Sequence, residues 1–545
     1  MSSSPFILPV VLLVELLLHC VSSPFTSKIA MNTPIKMSAL TSCLVLMACL
    51  TPTSCSSISD LEYMKMRSDL ISQEEHMRIG GNLVLSPKEC IVNDVFMKEK
   101  RQMIENSLLN KTVFKVADSI YLSKAFIEET NVFKIIQRMP KGAALHNHDQ
   151  SMVSAQWIVK NVTYRNNVFM CARNGSLIFK VLNHSSADVA CLWKSVMEER
   201  KASGNPDKFD DYLLQNLSML ATDPLVTYVD SQAAWVRFIR FFTQVRGLLY
   251  HVPIFRDMVY RTLEEFREAN VQYLEIRGDF TGFFDLNGTV HDTEFGVLLV
   301  KQAVDRFTRQ YPDFSGAKVI ISGLRNRPVP VILEQIKTTM ALQDKYPDLV
   351  IGYDLAGNEA AFKPFTFYID ALLYPSRQVP PYKLPYFLHA GETNWQGTAA
   401  DDNLADAILL NSTRIGHGFA LSKHPRLAQL VKSKDIAVEV QPISNQVLRL
   451  VSDFRNHPMA GLMAADFPIV IGTDDRTTLG TSPQSHDFYI AFMTMSSEKA
   501  DLTFLKQLAL NSLRYSQMNA VEKDNALKIW NYQWDKFITE TVALF

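Results

Sequence analysis

Eight short apolar stretches recur between residues 139 and 475, and helix-length segments separate most of them. In order they are the run that ends at His146, Val271 to Arg277, Ala317 to Ser322, Leu349 to Gly357, Leu384 to His389, Thr413 to Gly418, Ile436 to Pro442 and Pro468 to Asp475. The segments between them include Phe295 to Tyr311, Val329 to Tyr346, Ala400 to Asn411 and Met459 to Ala465. Strands alternating with helices eight times predict an α/β fold, a TIM-type (β/α)8 barrel. An open doubly wound sheet is the weaker alternative, because no Gly-rich phosphate loop follows the first strand. A chain of 545 residues is long for one average domain but suits one large barrel with additions. Its 47% apolar content allows a large core, and its net charge of -1 offers no basic excess for a nucleic-acid partner.

The strand ends carry the chemistry. Leu384-Pro-Tyr-Phe-Leu-His389 stops at a histidine, the small Ala-Gly pair lets the backbone turn, and Glu392 follows. Such a pair suits a metal ligand and a general acid or base beside it. The plainer reading is a core histidine and a loop carboxylate. His146-Asn-His148 ends the first strand, and residues two apart on a strand point to the same face. His417 ends the sixth strand, and Asp474 and Asp475 end the eighth. In a barrel of this type all these ends meet on one face, which holds the site. Three imidazoles and a carboxylate, with one position open to water, suit a catalytic zinc, although Fe(II) and other divalent ions accept the same ligand types.

The N-terminal region, residues 1–57, reads as a targeting segment. Phe6 to Leu18 and Met37 to Leu50 are both apolar runs, and each is shorter than the roughly 20 residues of a membrane span. The preferred expectation is a start at Met31 or Met37 with the second run as the secretion signal; the rival is a signal anchor built from the first. Cysteine usage fits export. Of seven cysteines, Cys20, Cys43, Cys49 and Cys55 lie in the targeting region, while Cys171 and Cys191 can close a short disulfide loop. Cys90 is then unpaired or paired between chains. Asn110, Asn161, Asn174, Asn183, Asn216, Asn287 and Asn411 each open a glycosylation sequon. A secreted, extracellular glycoprotein is the expectation, with no stable membrane span.

Residues 58–138 read as a helical arm outside the main fold, with self-association into a homodimer as its simplest use. The barrel is expected over 139–545. Within it, 160–220 reads as an inserted, loop-rich, glycosylated subdomain suited to recognition. Helix returns over 225–270, where Trp235 belongs to an aromatic stripe that packs the core or lines a pocket. His184, His251, His291, His424, His457 and His486 lack a partner pattern and read as structural or surface residues.

His146-x-His148-Asp149, His389-Ala-Gly-Glu392, Arg414-Ile-Gly-His417-Gly and Thr473-Asp474-Asp475 together resemble the signature set of the adenosine deaminases. Met139-Pro-Lys-Gly, Trp395-Gln-Gly-Thr and Pro442-Ile-Ser-Asn-Gln-Val-Leu extend the match. The arm, the insert and the signal resemble the secreted growth-factor-related branch, and the resemblance runs from about residue 60 to the end. It implies zinc held by His146, His148, His389 and Asp474. It implies that Glu392 protonates purine N1 and that His417 orients the attacking water and helps deprotonate it. Asp475 would bond N7, and the Gly357 backbone would face N3. Asp149 and Trp235 would lie near the sugar or the pocket wall.

The chain departs from that pattern at three places. Leu324 stands where relatives carry a substrate-touching polar residue, Arg476 stands where Pro is usual, and Gln441 precedes Pro442. The implied activity is hydrolysis of adenosine, and of 2′-deoxyadenosine, to inosine and ammonia. Two rivals stay open. One is a deaminase of another aminopurine, which as a nucleotide would need a basic cluster at the barrel mouth; Arg325, Arg327 and Arg476 are the only candidates. The other is a growth-factor-like ligand that binds a cell-surface receptor or glycan through the insert.

Overall fold

The computed structural model describes residues 58–544 apart from 110–113, 174, 185–186 and 189–190. The N-terminal apolar runs, Cys20, Cys43, Cys49, Cys55 and the sequons at Asn110 and Asn174 lie outside the described residues. The described residues fall into two units that divide between Asp69 and Leu70.

The second unit is built on eight parallel strands: β1 (Gly142–His148), β2 (Val271–Gly278), β3 (Gly316–Leu324), β4 (Val350–Ala356), β5 (His389–Ala390), β6 (Arg414–His417), β7 (Ala437–Val440) and β8 (Ile469–Ile471). β1 to β4 pair in chain order, and so do β5 to β8. Parallel bridges join the two runs, Tyr353 of β4 to Tyr386 ahead of β5, and Asn147 of β1 to Asp474 just past β8. The sheet therefore closes on itself, and every strand end points at one mouth. All eight residues of β2 are buried, as a strand covered on both faces requires.

The fifth strand is shorter than its apolar run. Only His389–Ala390 joins the ladder, because Pro385 has no N–H to donate to a neighbouring strand. Its carbonyl and the Phe387 N–H still bond Tyr353 at 2.9 Å each, which aims the run at the mouth.

Some of the helices are started by side-chain caps. Asp292 accepts the Phe295 N–H to open Thr293–Gln310, and Asp230 accepts the Ala233 N–H to open Ser231–Leu249. Asn519 and Glu522 form a capping box on the last helix, Ala520–Val542.

The segment expected as a separate arm divides. Helix Asp60–Met77 buries none of its residues. Helix Pro87–Leu109, by contrast, buries Val92, Phe96 and Met97, and its buried Lys100 ammonium donates to the Ser497 and Ala500 carbonyls at 2.8 and 2.9 Å. From Pro87 onward these helices are part of the barrel's packing rather than an arm outside it.

The insert is also more ordered than its composition suggests. Val168–Arg173 pairs antiparallel with Ser176–Val181 and with Lys194–Ser195, and helices Val196–Ala202 and Pro206–Asn216 follow. A disulfide joins Cys171 to Cys191, with 5.9 Å between their Cα atoms. Burial of Phe169 and Trp193 beside that disulfide gives the insert its own small apolar cluster, which supplies the order that long apolar runs do not. Cys90 is exposed and outside any disulfide. No helix among the described residues is long and apolar enough to cross a membrane.

Candidate active site

Four strand ends bring their polar residues to one point. β1 supplies His146 and His148, β5 supplies His389, β6 supplies His417, and the turn after β8 supplies Asp474 and Asp475. The ring centroids of His146 and His389 are 4.7 Å apart, and those of His146 and His417 are 5.1 Å apart. Asp474 Oδ1 lies 3.4 Å from His146 Nε2 and 3.3 Å from His148 Nε2. His417 and Asp474 hold left-handed backbone conformations, with φ of 61° and 53°. Side chains other than glycine adopt that region at a cost of order 1–3 kcal/mol each, which the closed barrel sustains. Gly416 leaves room for the cluster: a Cβ there would stand 3.3 Å from His146 Cε1 and 3.2 Å from His389 Cα.

Carboxylates behind the imidazoles set which nitrogen faces inward. His146 Nδ1 is 2.6 Å from Glu439 Oε2, and His389 Nδ1 is 3.0 Å from Asp354 Oδ1. Arg277 and Arg414 donate to Glu439 at 2.8 and 2.6 Å. Burial works against ionisation of Glu439 and Asp354. The arginines and histidines beside them outweigh it and hold both well below the ordinary carboxylate range. With Nδ1 engaged, each Nε2 is left for the cluster, and His146 Nε2 is buried with no hydrogen-bond partner. One ligand atom each from His146, His148 and His389 lie within 4.8 Å of one another, and so do those of His146, His417 and Asp474. An orphaned buried nitrogen among oriented imidazoles and a carboxylate is a donor set that fits a divalent metal.

The cluster forms the floor of a cavity of about 410 Å³, a size ordinary for small-molecule sites. Trp235, Phe238 and Phe242 form an apolar wall, and Asp149, Asp279, Glu392, Asp474 and Asp475 are the acids that line the cavity with it. Burial pushes the Glu392 carboxyl well above its ordinary range, and the charges of Asp474, Glu359 and Asp475 add to the effect. Asp475 is raised for the same reasons, by burial and then by Asp474. Asp149 is pushed up to about 7 by burial and by Asp279. Burial also pushes Asp474 up, but the imidazoles of His146 and His148 beside it reverse that and hold it well below its ordinary value. The site thus pairs a ligand carboxylate held toward ionisation with acids held toward their protonated forms.

Each residue expected in the site lies in this cavity or its floor, Gly357 and Trp235 included. Of the three arginines considered for a basic mouth, two lie elsewhere. Arg325 is fully buried against Glu359 and the His389 carbonyl, and Arg476 is buried on Glu265. Arg327 alone of the three lines the cavity, where Leu324 is 42% exposed.

Sequence reasoning missed Glu439, Asp354, Glu359 and Asn445. Their signal was a charge inside an apolar strand, as in Ala437-Val-Glu439-Val440, or a polar residue just past a strand end.

A family model described as "Adenosine deaminase" matches residues 209–529, and "Adenosine/AMP deaminase N-terminal" matches residues 42–136. "Adenosine deaminase 2" of Pongo abelii is 42% identical over 488 residues, covering 89% of this chain and 95% of its own. Among solved structures, Arabidopsis ADAL complexed with IMP aligns over 74% of this chain and 99% of its own, with a TM-score of 0.52 and 18% identity. An amidohydrolase from Burkholderia ambifaria with bound Zn aligns over 79% and 99%, with a TM-score of 0.51 and 19% identity. These two likenesses are of fold. The geometry of the site, the family models and the extent of the match to the Pongo abelii protein lead to one conclusion: this chain belongs to the adenosine deaminase family.

Proposed function

We propose that this protein hydrolyses adenosine, and 2′-deoxyadenosine, to inosine and ammonia, using one zinc ion per chain. One observation carries the reading: His146, His148, His389 and Asp474 converge on the floor of a cavity that also holds a buried acid, Glu392, whose pKa burial raises. The name of the 42% identical relative supports adenosine as the substrate, and the zinc of the Burkholderia ambifaria structure supports the choice of metal.

Zinc in such a donor set supplies a Lewis acid that makes water nucleophilic near neutral pH. The residues of this chain do the rest. Glu392 donates its proton to purine N1 as C6 is attacked, which requires the neutral form that its burial favours. His417 orients the attacking water. N7 is an acceptor, so Asp475 donates to it in its neutral form. The Gly357 backbone faces N3. Trp235 and Asp149 form the wall on the sugar side, with Asp149 fixed by the Tyr250 hydroxyl at 2.9 Å. Arg325 and Arg476 are buried away from the mouth, and of the two arginines that line the cavity Arg246 is engaged by Asp279 at 3.3 Å, which favours a nucleoside over a nucleotide.

Export and pairing belong to the same proposal. The sequons at Asn161, Asn183, Asn287 and Asn411 are exposed, as glycan acceptors must be, and Asn216 is half-buried. The apolar N-terminal runs and the Cys171–Cys191 disulfide agree with an extracellular destination. Helix Asp60–Met77 leaves Leu61, Tyr63, Met64, Met66 and Leu70 more than half exposed, which suits burial against a second copy in a homodimer. The insert is the surface proposed for a receptor or glycan.

The test is the change in ultraviolet absorbance as adenosine becomes inosine, followed with purified protein before and after chelation. Turnover that a chelator removes and zinc restores is expected. A folded, zinc-loaded protein with no turnover of adenosine overturns the reading.

A further inference from the structure

His417 sits at the end of a hydrogen-bond chain whose direction is set by the backbone. The Met459 N–H donates to His457 Nδ1 at 3.2 Å. That nitrogen is therefore the acceptor of a neutral imidazole, and the proton of His457 lies on Nε2. Burial holds His457 down to about 3, so the ring is neutral. His457 Nε2 is 3.1 Å from Asn445 Oδ1. The Asn445 amide is oriented accordingly, since the flipped amide would set NH2 against N–H. Asn445 Nδ2 then donates to His417 Nδ1 at 3.3 Å. The second neighbour of Nδ1 is Glu392 Oε1 at 3.4 Å. All three side chains are at most 2% exposed, so water does not compete for these bonds. Asn445 is also held through its backbone, whose N–H donates to the Gln441 carbonyl at 3.0 Å and whose carbonyl accepts from Leu450 at 2.9 Å.

We infer that Asn445 is a positioning residue for catalysis, and that His457, by locking its amide, keeps His417 in the tautomer whose Nε2–H faces the metal site. His417 Nε2 lies 3.8 Å from Asp474 Oδ2, on the metal-ligand side of the ring and away from Asn445 at Nδ1. An imidazole ordered this way offers the attacking water a hydrogen-bond donor. It orients the water's lone pair toward C6. This assignment gives work to Asn445 of the Pro442-Ile-Ser-Asn run and to His457, neither of which touches the cavity. It rests on the deaminase reading above.

The experiment measures adenosine deamination by the full-length, zinc-loaded protein and by four variants, with zinc content and thermal midpoint recorded for each. Asn445→Leu removes the donor. Asn445→Asp keeps size and a hydrogen bond but replaces donor by acceptor, which reverses the His417 tautomer. His457→Leu frees the amide to flip, and His457→Gln restores an N–H toward Asn445. Asn445→Leu and Asn445→Asp are expected to lower kcat about ten- to a hundredfold with KM within about twofold, the range typical of residues that orient a metal site's side chains. His457→Leu is expected to lose kcat, and His457→Gln to recover most of it. Folded, zinc-loaded Asn445→Asp with wild-type kcat overturns the inference. So does a loss of kcat in His457→Leu that His457→Gln does not relieve. Absence of turnover in the wild type overturns the deaminase reading instead, which keeps the two failures distinct.

Discussion

Glu359 holds Glu392 from behind: its Oε1 accepts the Glu392 backbone N–H at 2.8 Å, and its Oε2 accepts the Gly391 N–H at 3.3 Å. The same carboxyl accepts from Asn403 at 2.6 Å and faces Arg325 at 3.6 Å. One buried acid thus fixes the backbone of the other and adds negative charge beside it. The sign of the effect on Glu392 follows. Burial and that charge raise its pKa, so the proton is held to higher pH than an ordinary carboxyl holds it and leaves as pH rises. The rate is expected to fall as pH rises through that raised pKa, which forms the alkaline limb of the profile. Glu359→Gln removes a negative neighbour, so the alkaline limb should move to lower pH. A profile of kcat/KM against pH checks this; a limb that stays or moves upward contradicts it.

Glu392→Gln keeps the shape of the site but has no carboxyl proton to deliver. Turnover should fall on the order of 10²- to 10⁴-fold while a purine nucleoside still binds. Full turnover in this variant, measured beside equilibrium binding of inosine, would remove Glu392 from its role.

Glu439 orients His146, so Glu439→Gln should weaken metal binding about ten- to a hundredfold, read by competition with a chelator. In the metal-free protein Glu439 and Asp354 carry depressed pKa values, below those of an unfolded chain. Their stabilisation is present above about pH 4 and is lost as pH falls below it. The thermal midpoint of the metal-free protein should drop across that window. A flat profile there would contradict the assignment.

Trp235 is 7% exposed, meets Phe238 edge to face at 5.3 Å and presents the rest of its ring to the cavity. Trp235→Ala should raise KM about tenfold, as expected for loss of an aromatic contact worth about 1–1.5 kcal/mol, with a smaller change in kcat. A change confined to kcat would assign Trp235 to packing rather than to substrate.

The Cys171–Cys191 bond closes a loop 20 residues in span. Replacing both cysteines by serine should cost the insert about 3 kcal/mol and expose it to proteolysis first, while adenosine turnover persists. Limited proteolysis followed by an activity assay separates the two effects. Equal loss of both would tie the insert to the barrel's chemistry.

The sequence by itself determined the barrel and the inner ring of the site. Eight apolar runs alternating with helices admit few folds, and in the folds they admit strand ends meet, so His146, His148, His389, His417, Asp474, Asp475 and Glu392 could be placed together from their positions alone. Only the tertiary structure decided what stands behind them. Glu439, Asp354, Glu359, Asn445 and His457 act on the site through contacts between different strand–helix units, and a hydrogen-bond partner 12 or 293 residues away leaves no periodic trace in the chain. Tertiary packing also decided that Arg325 and Arg476 turn inward and that the helices after Pro87 join the core. Burial and the placement of the partner charges determine where a long charged side chain goes, and both are properties of the folded chain.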